Sequence, residues 1–198
     1  MKIKSLPIVA LLGSLLCIGP ANAETSTKVG FKKGFFIKSD DGNFKLKIGS
    51  RVQSRLMYES VDGEEETIQD DKANFSVPRA RITFSGHIWN KDLTFKFQPD
   101  FGKGSLNLKD FYTDYRFAGD VRIRVGQMKK PFSRQQLNSS SRLELVDRAT
   151  TDKAFGAGRD IGFLFHNNYT KSPKFEWAVG LYNGTGDKPW FSGSADTE

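Results

Sequence analysis

From Phe44 to Tyr58 the chain sorts its apolar and polar residues onto two faces. Phe44, Leu46, Ile48, Ser50, Val52, Ser54, Leu56 and Tyr58 fall on one face, and Lys45, Lys47, Gly49, Arg51, Gln53, Arg55 and Met57 on the other. Side chains alternate across a strand, so a period of two predicts a strand with one apolar and one basic face. At about 3.3 Å per residue the run spans about 50 Å, whereas strands of ordinary domains average about 5–6 residues. A strand this long, apolar on one side and cationic on the other, suits the wall of a membrane pore whose lumen attracts anions.

The pattern recurs. Phe75 to Trp89 sets Ile82, Phe84, Gly86 and Ile88 against Arg79, Arg81, Thr83, Ser85 and His87. Leu93 to Asp100 sets Leu93, Phe95 and Phe97 against Thr94, Lys96, Gln98 and Asp100. Asp110 to Phe117 sets Phe111, Thr113, Tyr115 and Phe117 against Asp110, Tyr112, Asp114 and Arg116. Val121 to Gly126 puts Arg122 and Arg124 opposite Val121, Ile123 and Val125. Asp160 to His166 and Phe175 to Tyr182 complete seven predicted strands. The fold class is therefore all-β, a transmembrane antiparallel β-barrel or part of one.

The connections support this. Asn90–Asp92 and Ala118–Asp120 are short, while Glu59–Asn74 and Gln127–Gly158 are long. Outer-membrane barrels alternate short periplasmic turns with longer external loops. The acidic run Glu64–Glu66 with Asp70 and Asp71 then lies outside, as a solvated loop. Residues 127–158 are polar and rich in Ser, Lys and Arg. A connection of that length is rarely idle in a compact fold, so it is a candidate constriction loop folded into the barrel.

The first residues change the picture of compartment. Lys2 and Lys4 precede an apolar stretch from Leu6 to Gly19, and Ala21-Asn22-Ala23 is an A-x-A cleavage site. This predicts a signal peptide over 1–23 and a mature chain from Glu24, 24–198 being barrel. Its removal takes away Cys17, the only cysteine, and lowers the net charge from +7 to +5. The mature chain then carries no thiol for a disulfide, a metal site or a nucleophile. No long apolar run follows, and a mean hydropathy of −0.49 is compatible with a barrel, where every second residue faces water.

Six motifs, in order, resemble the phosphate-selective porin O and P family. Gly49-Ser50-Arg51-Val52-Gln53 is similar to the family's "GGRLQ" strand, and Val77 to Gly86 to its "RRA…f.G" strand. Val125-Gly126-Gln127-Met128-Lys129-Lys130-Pro131-Phe132 is similar to "vGq.k.PF". Ser139 to Glu144, Arg159 to Gly162 and Leu181 to Gly184 follow, so that the resemblance runs from about Gly34 to Gly186. It implies a sixteen-stranded outer-membrane barrel, usually a homotrimer, with the third external loop folded inward. By position, Arg51 and Arg79 would belong to an arginine ladder, and Asp100 would be the lone acidic residue near the anion site. Arg142 stands where phosphate-specific members carry a lysine, and Arg148 would be a further loop cation. Arginine and lysine coordinate anions differently. Seven strands do not close such a barrel, and complete barrels of this type end on an aromatic residue. The ending Ala195-Asp196-Thr197-Glu198 thus gives the expectation of the N-terminal part of a longer porin or a truncated product.

The expected function is passage of small inorganic anions, phosphate or polyphosphate among them, across a lipid bilayer. Arg51, Arg55, Arg79, Arg81, Lys96, Arg122 and Arg124 would supply repeated weak attraction, with some of them balancing Asp110 and Asp114. Several shallow sites allow entry and escape where one deep site would trap the ion. Two other readings share the alternation: a secreted soluble β-sandwich binding domain, and a small structural or adhesive outer-membrane barrel with a plugged interior. No enzyme is expected. The two histidines, His87 and His166, lack a serine–acid partner pattern, and Gly156-Ala157-Gly158-Arg159-Asp160-Ile161 lacks the third glycine of a dinucleotide loop. No cofactor, metal or nucleic acid is implied.

Overall fold

The computed structural model describes residues 26–32, 34–60, 72–171, 174–184 and 186. The signal segment 1–23, the acidic run 64–71 and the ending 195–198 lie outside these residues. Nine strands form: β1 Thr27–Phe31, β2 Phe35–Ser39, β3 Lys45–Glu59, β4 Lys72–His87, β5 Leu93–Asp100, β6 Asn107–Ala118, β7 Val121–Lys129, β8 Arg159–His166 and β9 Ala178–Tyr182. Each pairs antiparallel with its neighbour in sequence, giving one meander in the order β1 to β9. Among the described residues the sheet does not close on itself.

The seven strands expected from the alternation correspond to β3–β9, with ends shifted by a few residues. Two further strands, β1 and β2, precede them. They have five residues each; β2 carries Phe35, Phe36 and Ile37 in an unbroken apolar run, and the alternation of β1, Val29 and Phe31 against Lys28 and Gly30, is too short to stand out. No helix among the described residues is long and apolar enough to cross a membrane.

Burial along β3 is inverted relative to a soluble protein. Val52 is 72% exposed and Leu56 59%, while Arg51, Gln53 and Arg55 between them are partly buried. The same outer face carries Phe75, Phe111, Phe163 and Phe165, all exposed. Its rings touch across strands, Phe84 on Phe97 at 5.8 Å and Phe97 on Phe111 at 5.5 Å. A continuous apolar face of this size is unfavourable in water and suits a lipid surface.

Two local features set the geometry of β3 and β4. Ser54 faces Val77 and Pro78 where the register shifts between Gln53 and Arg55. Proline has no N–H for the ladder, so a bulge is where it is tolerated. Gly86 lies against β3 so closely that a Cβ would stand 1.6 Å from the Lys45 carbonyl oxygen. Only glycine allows that approach.

The connections separate into two ends. Asp40–Phe44, Ile88–Asp92 and Gly119–Asp120 join strands at one end. Phe101–Leu106 and the segment 130–158 lie at the other. The connection 167–177 departs from the pattern, being long on the short-turn side, with a 3-10 turn at Tyr169–Lys171.

Two outcomes are expected. Val52→Arg, near the middle of β3, should cost about 2–4 kcal/mol in a bilayer, whereas an exposed site in a soluble domain tolerates such changes within about 0.5 kcal/mol. An unchanged urea midpoint for the variant in lipid vesicles would contradict a lipid-facing β3. Gly86→Ala should abolish the folded, heat-modifiable gel band, while Gly49→Ala, where a Cβ meets nothing within 4 Å, should keep it.

Candidate functional site: a cationic cavity under a folded segment

Alternation delivers the charged side chains to one face of the sheet, and register decides which of them meet. Arg51 is the direct cross-strand partner of Arg81. Arg81 in turn pairs with Asp100 on β5. Two like charges directly opposite repel, so both guanidinium groups need partners from elsewhere. Arg81 Nε donates to Asp100 Oδ2 at 2.6 Å. Asp100 is 5% exposed, and its other oxygen accepts the Ala80 and Gly102 backbone N–H groups at 3.1 Å each. Asp100 is thus fully engaged in holding Arg81 and the β5 end.

The segment 130–158 supplies the remaining partners by packing over this face. It begins from Lys130, whose N–H donates to the Gly158 carbonyl at 3.1 Å and whose Nζ meets Asp160 at 3.2 Å. Helix α1, Arg134–Leu137, follows, capped by the Ser133 hydroxyl accepting from Gln136 N–H. Leu137 seats the helix on a buried apolar cluster, Met128, Leu164 and Tyr169. Helix α2, Thr150–Phe155, is tied back through a hydrogen bond from Ser133 to Asp152. Lys129 Nζ donates to the Gln136 carbonyl at 2.7 Å, with those of Leu137 and Asn138 at 3.3 and 3.2 Å. These contacts hold the segment down independently of any arginine on β3 or β4.

Between α1 and α2 the segment touches those arginines twice. The Ser140 hydroxyl accepts from Arg51 at 2.7 Å and from Arg81 at 3.3 Å. Asp147 takes both terminal nitrogens of Arg55 at 3.0 Å each and lies 3.9 Å from Arg79. Arg79 also donates to Gln53 at 2.7 Å.

The space left between segment and sheet is a cavity of about 350 Å³. Arg51, Arg81, Lys96, Lys129, Arg148 and Arg159 line it, with Asp110 as the one carboxylate among the described lining residues. Thr83, Gln98 and Ser139–Ser141 add neutral hydrogen-bonding groups. Asp110 is shared by Lys96 at 2.5 Å and Arg159 at 2.8 Å. Arg148 donates to the Gln135 and Asn138 carbonyls at 3.1 and 3.0 Å. Burial lowers the Arg148 pKa, Asp152 opposing the shift and Arg79, Arg159 and Arg81 adding to it. The group remains cationic at any physiological pH.

The expected site residues therefore separate. Arg51, Arg81, Lys96 and Arg148 surround the cavity, and Asp100 buttresses it. Arg55 and Arg79 stand beside it, bound to Asp147. Arg122 and Arg124 do not reach it. Both hold Asp114, at 3.1 and 2.7 Å, together with fully buried His166 at 3.1 Å. The His166 Nδ1 accepts the Asn168 N–H, which leaves Nε2 to donate to Asp114. Arg124 also lies 4.4 Å over the Tyr112 ring. Arg142 is exposed, with its backbone N–H donating to the Ser139 carbonyl, and does not line the cavity.

Lys129 and Arg159 were absent from the expected set. They are cross-strand partners at the open ends of β7 and β8. Counting by twos from Val125 and from Ile161 puts both on the apolar face. Gly126, at φ 121°, lies outside ordinary strand geometry between Val125 and Lys129, so that count does not carry to the strand end.

No curated protein matches the chain significantly. The family model of the phosphate-selective porins O and P matches residues 46–195. The match spans β3 to β9, the cavity and the segment over it. With its all-β antiparallel sheet and inverted burial, the chain belongs to the phosphate-selective porin O and P family, channels of the bacterial outer membrane and not enzymes.

Proposed function

We propose that the charged face of the sheet lines the lumen of the porin and that the cavity beneath residues 130–158 is its anion site. The observation that carries this reading is the imbalance of the lining: six cations surround one carboxylate that is itself held by two of them. With Asp100 on Arg81 and Asp152 3.6 Å from Arg148, a net positive charge still remains to attract an anion, and the Ser139–Ser141 hydroxyl groups suit an oxyanion shedding its water. Phosphate fits better than chloride, because a guanidinium fork matches two oxygens of one ion.

Arg51 is the best placed donor. Its side chain donates to Ser140, and its Nε has no hydrogen-bond partner among the described residues. Two unit charges at 4 Å attract by about 1 kcal/mol in water and about 4 kcal/mol at an effective dielectric near 20. Attraction on that scale, repeated along a wall, concentrates anions without trapping them. The segment 130–158 acts as the constriction, and Arg142 at its exposed edge meets anions before they reach the cavity. Export through a signal peptide cleaved after Ala23 and assembly as a trimer belong to the same proposal.

Reversal potential across a KCl gradient in a planar bilayer tests the reading directly. The full-length porin should be anion-selective, and a cation-selective channel would overturn the assignment of this face to the lumen. Titrating phosphate against chloride current then tests the site. Arg51→Gln should raise the half-blocking phosphate concentration about ten- to a hundredfold, the loss of a charged hydrogen bond of about 1.5–3 kcal/mol. Arg142→Gln should move it by less than about threefold, as expected for a screened surface charge. Equal block in wild type and Arg51→Gln would place the anion site elsewhere.

A further inference from the structure

Asp147 stands out among the carboxylates of the charged face. Asp100, Asp110 and Asp114 belong to strands and are almost fully buried, at 5%, 3% and 3% exposure. Asp147 belongs to the bent stretch between α1 and α2, and its side chain remains 42% exposed. It still engages Arg55 through both oxygens and approaches Arg79. Those arginines are the more buried partners, at 19% and 15%.

That geometry is the one an oxyanion would adopt. A carboxylate with two oxygens on the two terminal nitrogens of a guanidinium mimics a phosphate held the same way. The Arg55 Nε is buried without a hydrogen-bond partner among the described residues, so this guanidinium can donate further. The stretch bearing Asp147 does not depend on the pair for its place. Lys129, Leu137, Arg148 and the Ser133–Asp152 bond hold α1 and α2 on the sheet.

We propose that Asp147 is a tethered counter-ion that sets the selectivity of the entrance to the cavity. Its carboxylate occupies Arg55 and Arg79 in the resting channel and gives way to anions that bring two acceptor oxygens of their own. Phosphate replaces the carboxylate bond for bond. Chloride has no second acceptor and leaves the pair closed. The site thus discriminates by the shape of the anion as well as by charge. The proposal rests on the reading of this face as the lumen.

The test compares wild-type porin with Asp147→Asn and Asp147→Glu in planar bilayers, by KCl reversal potential and by phosphate block of chloride current. Asp147→Asn should become more anion-selective, with half-block at about three- to thirtyfold lower phosphate, and its chloride current without phosphate should rise. Asp147→Glu, which keeps the carboxylate, should behave as wild type. If Asp147→Asn does not assemble, Asp147→Ser carries the same comparison. A purely structural tether gives the opposite sign: the released segment widens the pore, and both selectivity and phosphate block weaken. That result, or no change, would overturn the proposal. A wild-type channel without anion selectivity would overturn the lumen reading itself, which separates the two failures.

Discussion

Arg51 and Arg81 face each other across β3 and β4, and much of the charged face is arranged around that repulsion. Like charges at directly paired positions destabilise a sheet unless something shields them. Asp100 neutralises one of the two, and buried backbone N–H groups fix its orientation. Among the described residues the other receives a hydroxyl, from Ser140. A neutral acceptor satisfies a donor without removing its charge. At Arg51 the segment 130–158 therefore docks without cancelling the charge, which is what a conducting anion site needs.

The charged face has two regimes. Near the short turn at Gly119–Asp120, Asp114 collects Arg122, Arg124 and His166 in a buried cluster. Removing one partner of such a cluster leaves an uncompensated buried charge, so it serves cohesion between β6, β7 and β8. Toward the other end the carboxylates are spread out, Asp100 on Arg81, Asp110 between Lys96 and Arg159 and Asp160 on Lys130, and a further one, Asp147, sits on the segment over the sheet instead of in it. Ion pairs hold strands together at both ends. Charges left for a ligand lie under the long connection.

The course of β3 to β8 was legible in the sequence because burial is inverted. A wall between lipid and water imposes a period of two, and in Lys45–Glu59 the alternation of burial is clear from Gly49 to Leu56. The signal fails where the constraint lapses. β1 and β2 are only five residues each, β2 opening on the apolar run Phe35–Ile37, and β9 begins at Ala178 because residues before it form the connection after Tyr169. The cations of the site were legible as a face and not as partners. Nothing in the spacing of Arg122 and Arg124 shows that Asp114 holds both, since that depends on register across β6 and β7. Lys129 and Arg159 were hidden for a different reason, their positions at strand ends falling outside the alternation.

The longest connection shows why sequence resemblance and geometry assign different cations to one site. By position in the motif, Arg142 is the loop cation of interest. By packing, it is Arg148, because Leu137 anchors α1 on Met128 and Leu164, and the carbonyls freed at the end of α1 draw in both Lys129 and Arg148. A helix C-terminus favours cations through its unpaired carbonyl groups. In a helix of only four residues the pull comes from these local carbonyls more than from a summed dipole. The short helix thus gathers positive charge at the cavity wall while its own carbonyls hold the ammonium and guanidinium groups in place. Lys129 and Arg148 are held beside the cavity largely by carbonyl groups, with Asp152 3.6 Å from Arg148, and the cavity wall becomes basic through backbone chemistry that no motif records.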